Sequence, residues 1–277
     1  MNKHLQTKRF LGIELSGAKN RKTTIASLEY YIQDQKIFLL DIFEKLGTVE
    51  DRSSDEVLLS VIRSFHDKKR RSPLIIGTNA AAELPPCITC IKKTCPLPTH
   101  CKVPAVKWMR EITLKKKEFT PYTQRPIELW LRYHVLPELP KSTHFEIDET
   151  LGGNRAPLTA RMNFLKRLLT DVSMVPVWPK LTLLILTTKL GMPHRYIRSY
   201  RKLQEGVHSR EKILETITER LGIFIYEKDA KNLARNLVAF DAFICAYTAL
   251  LSELNLCAKI PRGFPITSGW VNYPNLT

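Results

Sequence analysis

The chain contains no run of about eighteen consecutive apolar residues, which excludes a simple transmembrane helix. Its opening, Met1 to Arg9, leads into an apolar stretch too short for the core of a signal peptide. No membrane partner is therefore expected, and the chain is read as cytoplasmic. Internal repeats are absent too, which excludes a repeat array. Acidic residues are in short supply: 27 Asp and Glu face 43 Lys and Arg, a formal charge of +16. That balance disfavours acid-rich functions and favours a polyanionic partner, most simply nucleic acid, DNA or RNA. A well-solvated basic surface has the same composition, so charge alone names no partner. No protein partner is inferred.

What is present suffices for a globular protein. With 277 residues, 44% of them apolar, the chain can bury a substantial core. One domain over residues 1–277 is expected, with an insertion at 83–150. Three runs rich in β-branched and aromatic residues open it: Phe10 to Leu15, Thr23 to Tyr31 and Lys36 to Leu46. Short turn-like links join them, so an antiparallel meander is predicted. A helix follows, capped by Ser53 or Ser54, with Val57, Leu58, Val61, Ile62 and Phe65 as its apolar stripe and Lys68 to Arg71 at its negative end. Leu74 to Gly77 is read as a short buried strand, and the helical crossover leading to it implies parallel pairing.

The texture then changes. Seven of the 17 prolines lie between Pro85 and Pro126, together with four of the six cysteines. Within this insertion, Ile127 to Val135 is a short element. Regular structure resumes with a helix around Leu158 to Leu169, a strand from Ser173 to Trp178, and helices over Leu181 to Leu190 and Arg210 to Leu221. Gly191 and Gly222 close those two helices. Ile223 to Tyr226 is read as a short strand, Ala230 to Leu254 as one long helix, and Pro261 to Pro274 as an extended tail. The order matches a ribonuclease H-like α/β fold: a mixed sheet, an antiparallel meander plus parallel strands, flanked by helices.

Two features carry chemistry. Asp241 stands in Val238 to Ala246, where every neighbour is apolar. A carboxylate there must be paired with arginine, protonated or metal-bound, because an isolated buried charge costs several kcal/mol or more. The second feature is Cys87, Cys90, Cys95 and Cys101, spaced C-x2-C-x4-C-x5-C among prolines. Four thiols this close in a cytoplasmic chain point to a metal centre rather than disulfides. Zn2+ and an iron–sulfur cluster are both compatible with them, and His100 can stand in for Cys101. Cys245 and Cys257 are read as core residues. Only the stretch His194 to Lys202 mixes bases with aromatics; Arg198, Arg201 and Lys202 there suit phosphate contact and base stacking. Arg155 and Arg161 flank a glycine-led helix start, which suits phosphate as well as a helix cap and a surface ion pair.

These residues resemble a predicted ribonuclease H-like nuclease family catalogued as domain of unknown function 429. The likeness covers most of the chain. It rests on Phe10 to Gly17, Pro73 to Pro86, Ser173 to Lys180, Tyr200 to Lys202, Arg210 to Leu214, and above all Phe240 to Ala246 followed by Gly269-Trp270-Val271. The resemblance implies phosphodiester hydrolysis of nucleic acid with Mg2+ or Mn2+ held by acidic residues. It assigns Glu14 and Asp241 to metal ligation and aligns Asn79 where the family commonly has Asp. Pro176 aligns where the family commonly has Glu, so the carboxylate set is degenerate. Glu83, Glu128, Glu146 and Asp148 are the nearest replacements, Glu128 the most promising. The alternative is a non-catalytic nucleic-acid-binding protein with a cysteine-ligated metal centre.

Overall fold

The computed structural model describes residues 7–17, 22–65, 74–113, 119–143 and 145–275. The basic runs at Lys68 to Arg71 and Lys115 to Lys117, the first six residues of the chain and Pro73 lie outside the described residues. The chain divides into two compact units. Unit 1 takes Met1–Asn79, Leu169–Ala258 and Asn272–Thr277; unit 2 takes Ala80–Leu168 and Lys259–Val271. The segment read as an insertion therefore extends through the helix that follows it, and the tail belongs partly to each unit.

Unit 1 is an α/β structure. Strands β1 (Thr7–Glu14), β2 (Thr23–Tyr31) and β3 (Lys36–Leu46) form the predicted antiparallel meander. Helix α1 (Ser54–Ser64) follows, begun by a capping box in which the Glu56 amide donates to Ser53 Oγ and the Ser53 amide to Glu56. Strand β4 (Leu74–Thr78) then pairs parallel with β1, and β5 (Val172–Pro176) parallel with β4. The two-residue β6 (Ile223–Phe224) closes the far edge, giving the order β5-β4-β1-β2-β3-β6. β1 stops one residue short of the predicted Leu15, because a side chain takes over there: the Leu15 amide donates to Asn79 Oδ1 at 2.8 Å. β5 stops at Pro176, short of the predicted Trp178.

Unit 2 holds α2 (Pro104–Ile112), α3 (Pro126–Trp130) continuing as a π turn to Val135, and α4 (Arg155–Lys166). At its centre is a buried ion pair. Arg125 Nε donates to Glu128 Oε1 at 3.0 Å with both side chains nearly inaccessible, and the Thr150 hydroxyl donates to the same oxygen. The tail contributes Phe264 and Trp270, whose rings meet edge-on at 5.0 Å, and Trp108 packs against Phe264. A 3-10 turn at Ile266–Ser268 interrupts the extended path expected for this tail.

In unit 1, α5 (Pro179–Lys189), α6 (His194–Ser199) and α7 (Glu205–Leu221) precede the C-terminal helices. The single helix expected over Ala230 to Leu254 is two: α8 (Glu227–Arg235) and α9 (Leu237–Glu253), bent by 114°. Asn236 makes the break. Its backbone is extended, and its side-chain oxygen accepts from the amides of Val238 and Ala239, capping α9. Among the described residues no single helix is long and apolar enough to cross a membrane.

Helix α9 is buried all round from Ala239 to Leu251, as an apolar helix without a polar face requires. It lies on β1, β2 and β4. Two glycines, paired across β1 and β4, permit its close approach. A Cβ on Gly12 would stand 2.0 Å from the Ala242 carbonyl oxygen, and one on Gly77 would stand 2.0 Å from that of Cys245. Helix backbone therefore rests directly on sheet backbone. Gly12→Ala should destabilise the protein by about 3 kcal/mol, the upper end for overpacking. Gly17, with nothing near its Cβ position, should tolerate the same change within about 0.5 kcal/mol. Urea unfolding of the two variants checks this; equal losses would refute the close-contact account.

Candidate functional site

The glycine contact positions two carboxylates. Asp241 precedes Ala242, the residue lying over Gly12, by one position. Glu14 follows Gly12 by two positions and so shares its sheet face. Asn79 directly follows β4. Glu14 and Asn79 thus sit at the carboxyl ends of two adjacent parallel strands, the end at which open α/β sheets bind ligands.

The loop between α6 and α7 supplies what faces Asp241. Arg201 Nη2 lies 3.1 Å from Asp241 Oδ2, with the arginine side chain 44% exposed and the aspartate 1%. Arg201 also leans over the Tyr200 ring, 5.9 Å from its centroid. A second arginine fixes this loop from within: buried Arg210 donates from Nε to the Ala234 carbonyl at 2.6 Å and from Nη1 to the Tyr200 carbonyl. Gly206 leaves the room, since a Cβ there would stand 2.7 Å from that guanidinium nitrogen. Burial holds Arg210 below the usual arginine range, and the negative charge of Asp241 works against that shift.

Tyr200 is the junction. Its side chain is fully buried and its ring packs on Phe240. Burial pushes the phenol well above its ordinary range; Asp241, then Glu14, push in the same direction while Arg201 opposes them. Both carboxylates therefore bear on one hydroxyl, which stays protonated at neutral pH. A phenol of that kind can donate a hydrogen bond to an anion.

Asn79 is committed in part. Its Oδ1 accepts from Leu15 and its own amide donates to the Ile13 carbonyl at 3.2 Å, extending the β1–β4 ladder. Pro176 serves through its backbone: its carbonyl accepts from the Asn272 amide at 2.8 Å. Among the described residues no three His, Cys, Asp or Glu side chains converge as a metal site.

The basic residues divide. Arg195, Arg198 and Lys202 line a shallow depression of about 450 Å³ with Ser199 and a single acid, Glu205. Lys202 pairs with that acid at 2.7 Å. Arg155 and Arg161 are in unit 2. Arg155 is held by Asp148 at 2.9 Å, a surface ion pair, and Arg161 is buried. The candidate replacement acids are in unit 2 as well. Glu128 is consumed by Arg125, and Glu83 pairs with Lys166 at 3.0 Å. Tyr200 and Arg210 were the residues that sequence reasoning did not assign to the site. The position of Tyr200 beside Arg201 in the one base-and-aromatic stretch was the available signal.

No family model, curated protein or solved structure matches the chain.

The Arg201–Asp241 pair is asymmetric, because water solvates one partner and not the other. Arg201→Ala should cost about 2 kcal/mol, less than the about 3–5 kcal/mol of a wholly buried pair because water screens Arg201. Asp241→Asn should cost less than Arg201→Ala, and adding it to Arg201→Ala should restore part of the loss. A double-mutant cycle by urea unfolding measures this; strictly additive losses would show that the two charges are not coupled.

Proposed function

We propose that unit 1 hydrolyses phosphodiesters of nucleic acid with one divalent cation, Mg2+ or Mn2+, on a ribonuclease H-like arrangement of strands. The observation that carries this reading is the buried carboxylate of Asp241 facing half-exposed Arg201 at 3.1 Å, with Glu14 at the end of the adjacent strand β1. The strand order β5-β4-β1-β2-β3, with its antiparallel and parallel halves, agrees with the resemblance. Two carboxylates balance one divalent cation and not two. Mg2+ is commonly held by one or two carboxylates with water and substrate phosphate completing its shell, and Glu14 and Asp241 would be its protein ligands. When bound, the ion supplies an activated water and stabilises charge on the phosphoryl oxygens.

The chain's own residues do the rest. Arg201 replaces the positive charge that a second cation would bring, and it can turn from Asp241 to a phosphate because its side chain is half in water. Arg210 keeps the loop from following it. Arg195, Arg198 and Lys202 track the phosphate backbone.

A second reading has a specific observation in its favour. Asp241 is already neutralised by Arg201, as befits a protein that binds nucleic acid without cutting it. The two readings separate in one experiment: binding at low and high salt, and cleavage with Mg2+ or Mn2+, for wild type, Asp241→Asn and Glu14→Gln. The enzyme reading expects salt-sensitive binding in all three and at least a 100-fold loss of cleavage in both variants. Binding without cleavage in the wild type supports the second reading. Absence of binding at low salt refutes both, and wild-type cleavage by Asp241→Asn removes that residue from catalysis.

A further inference from the structure

Residues 80–103 of unit 2 form neither helix nor strand. Compact domains seldom hold so long a structureless stretch unless it has a function or an organiser. Its two ends are anchored. The Cys87 amide donates to the Pro121 carbonyl at 3.0 Å, and Arg110 Nη1 donates to the carbonyls of Pro98 and Cys101 at 2.9 and 3.0 Å. Its middle is not. Every residue from Ile88 to Leu97 is exposed, Ile91 to 97%, so no apolar side chain pins it. No backbone amide from Cys90 to Leu97 donates to a backbone carbonyl among the described residues. Leu97 also adopts a left-handed conformation, φ +65°, which persists only where the surroundings impose it. Hydrophobic burial and hydrogen bonding therefore leave the middle of this segment without an organiser.

The cysteines are placed to supply one. Cys101 is buried and Cys87 half-buried, one at each anchored end, while exposed Cys90 and Cys95 stand on the middle. Burial raises the Cys87 thiol, and Cys101, Cys95 and Cys90 raise it further, in that order. All three are thus within electrostatic reach of it. The four are not gathered: among the described residues no three converge at metal-ligand spacing. Cys90 and Cys95, on the unanchored stretch, are the two that can move.

We propose that Cys87, Cys90, Cys95 and Cys101 bind one thiolate-ligated metal centre, zinc or an iron–sulfur cluster, which orders this segment. The segment forms one wall of a cleft of about 490 Å³, through Thr89, Cys90, Ile91 and Lys92, with Glu83 and Lys166 also lining it. The metal centre thereby sets the shape of that cleft. Four thiolates form a closed shell, so the centre organises rather than catalyses. Binding releases the thiol protons, and occupancy falls as pH drops. The proposal is independent of the reading of unit 1.

The test is metal analysis and visible absorption of the whole chain purified without oxygen. About one zinc per chain without visible absorption identifies a zinc site. Iron with matching sulfide and broad visible absorption identifies a cluster. Either supports the proposal if Cys95→Ser lowers the metal content at least tenfold while Cys257→Ser does not. A second readout guards against misfolding of the variant: trypsin cleavage after Lys92 and Lys93 in the wild-type protein. Chelation, or oxidative loss of a cluster, should speed that cleavage at least tenfold. A chain that carries neither metal, or keeps its metal in Cys95→Ser, overturns the proposal, as does cleavage indifferent to metal removal.

Discussion

The backbone of α9 lies on the backbone of β1 and β4, and much of unit 1 depends on that contact. It exists because Gly12 and Gly77 stand side by side in the sheet. Side chains at either would hold the helix off, and Ala242, Cys245, Ala246 and Ala249 would lose their seat. Close approach also fixes position along the helix. Ala242 cannot slide over Gly12, so Asp241 is held one residue upstream with the accuracy of backbone packing. A carboxylate on a wholly apolar helix is thus placed next to the end of β1, where Glu14 emerges.

That placement needs compensation, because Asp241 is almost without water. Arg201 supplies it from the solvent side and Arg210 from within. The two arginines differ in a way that matters. Arg210 is spent on two backbone carbonyls and acts as a bracket. Arg201 keeps nearly half of its side chain in water. Tyr200, between them, is buried and bears the field of both carboxylates. The group comprises two acids, two bases and a phenol.

Unit 2 is stabilised differently. Arg125 and Glu128 are a nearly inaccessible pair, three residues apart, with Thr150 adding a hydrogen bond and Glu83 3.9 Å from Arg125 Nη1. Such a pair is costly to break and contributes little net stability when intact. Beside it stand an aromatic cluster and a long segment that no core residue pins. Prolines restrict that segment, and cysteines stand along it.

Periodicity and turn chemistry made most of unit 1 legible in the chain: the meander, the capped helix at Ser53, the parallel strand at Leu74 and the glycine stops at Gly191 and Gly222. These are local signals, written within a few residues of where they act. Asp241 was legible as an anomaly for the same reason. The partner of Asp241 was not, because Arg201 lies forty residues away and only the loop between α6 and α7 brings it back. The break at Asn236 escaped because the apolar pattern runs on through it, and a capping side chain is recognised only once the backbone has turned. Asn79 reads as a degenerate acid in sequence and proves to be also a strand extender, a role set by its register against Leu15. Arg161 reads as a phosphate ligand or a surface ion pair and Glu128 as a replacement metal ligand; both are buried, since burial is a property of the whole packing. Residue type and spacing determined the elements and the chemistry available; the tertiary structure alone decided which charges meet, because electrostatics acts across space and the sequence records only order.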